Sequence, residues 1–271
     1  YSLLLVMTFG GFLYWRALVP THEGDWQLLQ ERLPEASLHQ TEDADVYIKL
    51  RGIRDFRYGE DGSIAETRYL ENVYYPQDVN RVWLGLSHFA EPGMAHAFLS
   101  FEFPQGNLVV SIEARLRPDQ SYNPLLGLVR QYPRMLVWGT EADIIGLRTH
   151  ARGERVLLYP LKLTPEQAQG LLVALAMETA NLAQTPEFYN TLTDNCATGL
   201  LKFEPNYRWY TSLIDYRVLL PGYIDGLLLE RGWIDGEEPL EVLRQKAEAR
   251  VVALDPASDY FSVALRRGWQ D

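Results

Sequence analysis

Hydrophobic and polar positions change period along the chain, and each change marks an element. Residues 45–58 (DVYIKLRGIRDFRY) and 80–88 (NRVWLGLSH) alternate and are rich in β-branched and aromatic types, which predicts strands. A hairpin follows, in which AHAFLSFEF (95–103) and NLVVSIEARL (107–116) flank the turn sequence Pro104-Gln105-Gly106-Asn107. Placing Phe103 opposite Leu108 sets Phe101 against Val110, Leu99 against Ile112 and Ala97 against Ala114, an entirely apolar face. The opposite face then carries His96, Phe98, Ser100 and Glu102 beside Val109, Ser111, Glu113 and Arg115, with His96 opposite Arg115 and diagonal to Glu113. Two more strands are predicted at 134–148 and 154–160.

The period then becomes helical. Thr164-Pro165-Glu166-Gln167 combines an N-cap hydroxyl, proline at the first helical position and the glutamine of a capping box. Ala168, Leu171, Leu172, Leu175 and Leu182 recur at helical spacing, so a helix is predicted over 165–184, ended by Pro186. The turn-rich YNTLTDN leads into Cys196 and the short apolar run ATGLLKF, with Asp194 or Asn195 as the expected cap and Cys196 in the first turn. Two further helices are expected near 238–252 and 257–267, after PGYIDG at 221–226. Together these elements predict an α+β domain.

From Tyr1 to Trp15 the chain carries no charge, and after Arg16 it is apolar again through Ala17, Leu18 and Val19. Fifteen helical residues span about 22 Å, against about 30 Å of hydrocarbon in a bilayer. Phe12, Tyr14 and Trp15 beside Arg16 suit an interfacial belt, and the acidic THEGDW that follows suits the non-cytoplasmic side. The expected organisation is a membrane anchor helix at 1–19 and an extracytoplasmic domain at 20–271; a buried core helix or a signal-peptide region are the rival readings of the apolar segment.

Composition narrows the function. A chain of 271 residues that is 47% hydrophobic buries one large core, and 25 basic against 36 acidic residues, a formal charge of −11 with no basic block, disfavours nucleic acid as a partner. The single cysteine excludes an intramolecular disulfide and zinc or iron–sulfur sites built from paired cysteines. With no HExxH, GxGxxG or phosphate loop, no metal or cofactor is expected.

The first turn of a helix favours thiolate over thiol, so Cys196 is a candidate nucleophile. Of the five histidines only His96 sits on a strand face with polar neighbours, where it can act as base while Glu113 holds its tautomer. The bland readings are a buried structural cysteine, a satisfied sheet histidine and a Glu113–Arg115 pair on a solvated face. Arg115, Asn195 and Tyr189 are the expected substrate contacts around the catalytic set Cys196, His96 and Glu113.

The ordered set RDFRY (54–58), AHAFLSFEF (95–103), SIEARL (111–116), GTEADIIGLR (139–148), PEFYNTLTDNCATGLL (186–201) and LLPGYIDGLL (219–228) resembles the periplasmic domain of the Lnb-type lipoprotein N-acyltransferases. That family is similar to permuted NlpC-type papain-like thiol enzymes, in which the histidine strand precedes the cysteine helix. The resemblance implies an antiparallel sheet with packed helices, with Cys196 as the motif cysteine and His96 as the motif histidine; Glu113 rests on the residue pattern alone. It implies further that an acyl chain passes from a phospholipid, through a Cys196 thioester, to the α-amine of the lipidated N-terminal cysteine of a diacylated lipoprotein. The implied setting is the bacterial inner membrane, facing the periplasm. Scattered aromatics at Tyr207, Trp209, Tyr210, Tyr216 and Tyr223 are either core or an acyl groove. A thiol hydrolase on the same dyad and a non-catalytic membrane-tethered binding module are the rival functions, and oligomeric state is open.

Overall fold

In the computed structural model, which describes residues 17–59, 61–90, 93–193, 195–202, 215–251 and 253–270, the predicted alternating segments form a sheet between two helical layers. The strands are β1 (Glu35–Gln40), β2 (Val46–Arg54), β3 (Arg57–Tyr58), β4 (Ile64–Glu66), β5 (Tyr69–Tyr74), β6 (Arg81–Ala90), β7 (Met94–Glu102), β8 (Leu108–Ala114), β9 (Arg134–Thr140) and β10 (Arg155–Pro160). The helices are α1 (Glu141–Gly146), α2 (Pro165–Gln184), α3 (Cys196–Leu201), α4 (Tyr216–Leu219), α5 (Ile224–Glu230), α6 (Leu240–Ala247) and α7 (Phe261–Leu265). The main sheet runs β1-β2-β9-β8-β7-β6-β10 with β5 also on β2, while β3 and β4 form a separate ribbon. Strand β2 meets β9 in parallel at Arg54 and Gly139, so the sheet is mixed rather than wholly antiparallel. No hairpin joins those two strands, so no tight turn imposes the antiparallel sense.

The central hairpin forms two residues away from the predicted register. Phe98 faces Ser111, Leu99 faces Val110 and Phe101 faces Leu108. Phe103 is drawn into the turn, where its carbonyl accepts the Gly106 N–H at 3.1 Å and Gly106 takes a φ of 117°, a conformation open to glycine. A slip of two preserves side-chain parity, so each face keeps its predicted residues. What changes is the partner: continued outward, this register sets Glu113 rather than Arg115 opposite His96.

Helix α2 forms over the predicted span, with Thr164 and Gln167 closing a reciprocal capping box. It lies over the β1, β2 and β9 side of the sheet, and its Leu171, Leu172 and Leu175 belong to the same hydrophobic core as Ala97, Leu99, Phe101, Leu108 and Val110. Trp138 on β9 donates to Thr179 at 2.8 Å and ties the layers together. On the other face Phe98, Val109 and Val137 pack with Ile144 and Ile145 of α1 and Phe261 of α7. Residues 134–148 are not one strand: Thr140 ends β9 by accepting the Asp143 N–H, which caps α1, and a π-helical turn, Leu147–Ala151, follows. Helices α6 and α7 are shorter than their sequence patterns, and β1, β4 and β5 carry no pattern that predicted them.

The expected anchor at 1–19 lies outside the described residues up to residue 16. Among the described residues no helix is long and apolar enough to cross a membrane.

Candidate active site

β6 stays paired with β7 out to Met94, and β9 with β8 out to Ala114, but β7 and β8 remain together only as far as Phe98 and Ser111. Beyond that point the sheet parts. A cavity of about 510 Å³ is lined by Met94, Ala95 and His96 from one bank and Ile112, Glu113 and Ala114 from the other. Helix α3 bridges the two banks. Cys196 Sγ accepts the Ala97 N–H at 3.3 Å, and Gly199 lies so close to Ile112 that an added Cβ would be 2.3 Å from its Cδ1. The parting brings His96 and Cys196 to one cavity although His96 and Ala97 are on alternate sides of β7.

Asn195 starts α3, its Oδ1 accepting the N–H groups of Ala197 at 2.8 Å and Thr198 at 2.7 Å while its amide donates to the Thr191 carbonyl. Asp194, the other expected cap, lies outside the described residues. Asn195 touches the cavity, but its polar atoms are committed to the helix start rather than to a substrate.

Burial pushes the Cys196 thiol up, and the N–H groups of Ala97 and Ala197, with the charge of Arg148, oppose it only in part. The resting group is therefore a thiol, not the thiolate expected from its place in the helix. The helix has six residues, and its cap already neutralises two of the amides that would stabilise the anion.

His96 is held well below its ordinary value, first by burial and next by the neighbouring Arg148 charge, so the imidazole is neutral. Among the described residues its Nε2 has no hydrogen-bond partner, and it lies 3.8 Å from Glu113 Oε1, beyond hydrogen-bond reach. Burial acts to raise Glu113, but the charges of Arg148 and Arg54 together with the Gln30 amide outweigh it and keep the carboxylate ionised. Ser111 Oγ donates to Glu113 Oε1 at 2.8 Å, and Arg148 Nη2 stands 3.7 Å from the same oxygen. The result is a proton acceptor beside an anion, next in the chain to the peptide that holds the thiol.

Below the cavity the expected motif residues lock one another. Arg54 forks onto Asp143 at 2.9 to 3.1 Å, and Asp143 also accepts the Phe56 N–H at 2.8 Å and the Tyr58 hydroxyl at 2.7 Å. Arg148, 4% exposed, donates to the Ile144 carbonyl at 2.7 Å and lies over the Phe98 ring. Arg115, an expected substrate contact, does not line the cavity: it donates to the carbonyls of Gln30 and Glu31 and stacks on Trp26 at 4.3 Å. The two-residue change of register carries it past His96. Tyr189 does line the cavity, largely buried, edge-on to Tyr122 at 5.9 Å.

The sequence model of the Lnb N-terminal periplasmic domain matches residues 65–222, more than half of the chain. The chain belongs to that family. It is a periplasm-facing domain by that membership, and the matched span of the Lnb domain contains His96, Glu113, Cys196 and both banks of the cavity. No curated protein and no solved structure matches the chain.

Among the groups at the Lnb-domain site that escaped the sequence reading are Gln30, Arg54, Tyr122 and Arg148. Arg54 and Arg148 stand inside the quoted motifs RDFRY and GTEADIIGLR, which is a usable signal; Gln30 and Tyr122 have none. Part of the rim is apolar, with Phe89, Met94, Leu219, Leu220 and Pro221 at the cavity, while Arg152 and Glu154 line it elsewhere. Gly222 holds that rim in place by donating to the Gly93 carbonyl at 2.8 Å. Of the scattered aromatics, Tyr216 is exposed and edge-on to Tyr223, while Tyr207, Trp209 and Tyr210 lie outside the described residues.

Proposed function

We propose that this Lnb domain is a cysteine transacylase that moves a fatty acyl chain from a phospholipid to the α-amine of a diacylated lipoprotein. The observation that carries the reading is the joint placement, in one cavity with a partly apolar rim, of a thiol held on the Ala97 N–H and a neutral imidazole whose Nε2 has no partner among the described residues.

His96 Nε2 accepts the Cys196 proton, and the sulfur attacks the ester carbonyl carbon. Collapse of the tetrahedral intermediate breaks the ester C–O bond, and the leaving alkoxide takes the proton from His96 as a lysophospholipid. The lipoprotein amine then attacks the thioester. His96 accepts the amine proton and returns it to the departing Cys196 sulfur, so an ester and an amine become an alcohol and an amide. Asn195 already takes the amides of Ala197 and Thr198, which leaves the Cys196 N–H as the donor at the start of α3 for the oxyanion. Glu113 stabilises the imidazolium formed in each half-reaction. A permuted papain-like arrangement and anchoring in the inner membrane belong to the same proposal.

The test incubates the protein with phospholipid and a diacylated lipopeptide and follows the lipopeptide by mass spectrometry. A third acyl chain is expected with the native chain and none with Cys196→Ala, and an acyl adduct is expected on Cys196 when the amine is withheld. Release of free fatty acid alone would instead indicate a hydrolase, and full transfer by Cys196→Ala would remove the thiol from the mechanism.

A further inference from the structure

We propose that Gln30 is a positioning residue of this site, turning the Glu113 carboxylate so that its other oxygen faces His96. The proposal rests on the Cys196–His96 reading above and extends the site into a segment outside the matched Lnb span.

The stretch from Trp26 to Glu31 lies along the chain that leaves β8. Gln27 donates its N–H to the Leu116 carbonyl at 3.0 Å, and Leu116 in return donates its N–H to Gln30 Oε1 at 2.7 Å. With Oε1 committed to a backbone amide, the NH2 end of Gln30 has one orientation left and donates to Glu113 Oε2 at 3.1 Å. The groups on the other side of the carboxylate approach Oε1: Ser111 Oγ, Arg148 Nη2 and His96 Nε2. Gln30 therefore pins one oxygen and leaves the second facing the imidazole. Arg54, from β2, adds charge to Glu113 and donates to the Leu29 carbonyl at 2.7 Å, so the segment and the carboxylate share a support; Arg152 adds charge toward His96. Gln30 is itself buried, 8% exposed, and its carbonyl accepts Arg115 Nε at 2.9 Å. The role of Arg115 is thus to hold the residue that holds Glu113.

Gln30→Glu separates positioning from support, because it keeps an acceptor for the Leu116 N–H while replacing the donor toward Glu113 with a second carboxylate. In the full chain the His96 protonation midpoint, followed by NMR of the ring, is expected to rise by about one pH unit. The acid limb of Cys196 alkylation by iodoacetamide moves with it. Gln30→Ala, which only frees the carboxylate to rotate, is expected to slow alkylation at neutral pH about tenfold. Added charge alone can move the midpoint in Gln30→Glu, so Gln30→Ala decides: a merely structural glutamine would lower its melting temperature and leave its alkylation rate unchanged. A wild-type alkylation rate in Gln30→Ala would overturn the proposal. Alkylation needs no acyl substrate, so a chain that alkylates through His96 but transfers no acyl group refutes the acyltransferase reading while these profiles still decide Gln30.

Discussion

Ala97 donates its backbone N–H to Cys196 Sγ over 3.3 Å, so the strand that carries His96 also grips the thiol through the very next peptide. The relative position of the Cys196 thiol and the strand carrying His96 is thereby set by main chain. Side-chain rotation can adjust it but cannot separate the two elements.

Two displaced groups of the site, His96 and Glu113, contribute to the pH dependence of stability. His96 titrates below its ordinary 6.5 in the fold, so as pH drops past that value the unfolded chain binds a proton that the folded chain refuses. Glu113 titrates below its ordinary 4.5, so its contribution is present above that value and is lost as pH falls further. Both signs agree: acid destabilises. Thermal melts between pH 8 and 5 should fall with pH in the native chain at up to about 1.4 kcal/mol per unit from His96, and less steeply in His96→Gln. Parallel curves for the two would mean that His96 is not buried neutral.

Asp143 is fully buried with Arg54, the Phe56 N–H and the Tyr58 hydroxyl converging on it. Asp143→Ala strands a buried guanidinium and should cost about 3–5 kcal/mol in chemical denaturation, with the cavity floor disturbed. Asp143→Asn, which keeps the shape, should cost less. Equal losses would show that the charge contributes nothing.

Removing the cap of α3 should affect activity more than stability. Asn195→Ala releases the Ala197 and Thr198 amides at the cost of about 1 kcal/mol and frees the helix start on which Cys196 sits. With those amides open to the sulfur, faster iodoacetamide alkylation at a nearly unchanged melting temperature is the expected pair of results; unchanged alkylation would mean that the Ala97 contact alone sets the state of the thiol.

At the rim, Gly222 has no room for a side chain, since an added Cβ would stand 2.6 Å from the Gly93 carbonyl oxygen. Backbone cannot yield as a flexible side chain does, so Gly222→Ala should cost about 1–3 kcal/mol and displace Leu219, Leu220 and Pro221 from the cavity. A variant with native stability and native acyl transfer would show that the rim tolerates the shift.

Local physics was legible where one short stretch contained the whole cause. The Thr164–Gln167 box and the leucine spacing after it placed α2, because capping and amphipathic burial act within a few residues. Alternation assigned the two faces of the β7–β8 hairpin correctly, and of the two expected caps, Asp194 and Asn195, it is Asn195 whose side chain accepts the helix-start amides. The register failed by two because parity constrains which face a residue takes, whereas the turn that selects the partner depends on how Phe103 and Gly106 close it. Residues 134–148 read as a single strand because β9 and the Ile144-Ile145 end of α1 are both buried and apolar, and a buried helix and a buried strand share that signature.

The sequence alone determined which residues could do chemistry here: one thiol at a capped helix start, one histidine among polar strand neighbours, and an apolar supply large enough for a single core. Tertiary structure decided how they are used. It parted β7 from β8 to let His96 and Cys196 share a cavity, chose Glu113 over Arg115 as the neighbour of His96, and kept the thiol protonated by burying it. It also brought Gln30 and Arg148 to Glu113 across 83 and 35 positions of chain (113 − 30 and 148 − 113). Burial and long-range pairing arise from the whole chain closing on itself, and no local window of residues carries them.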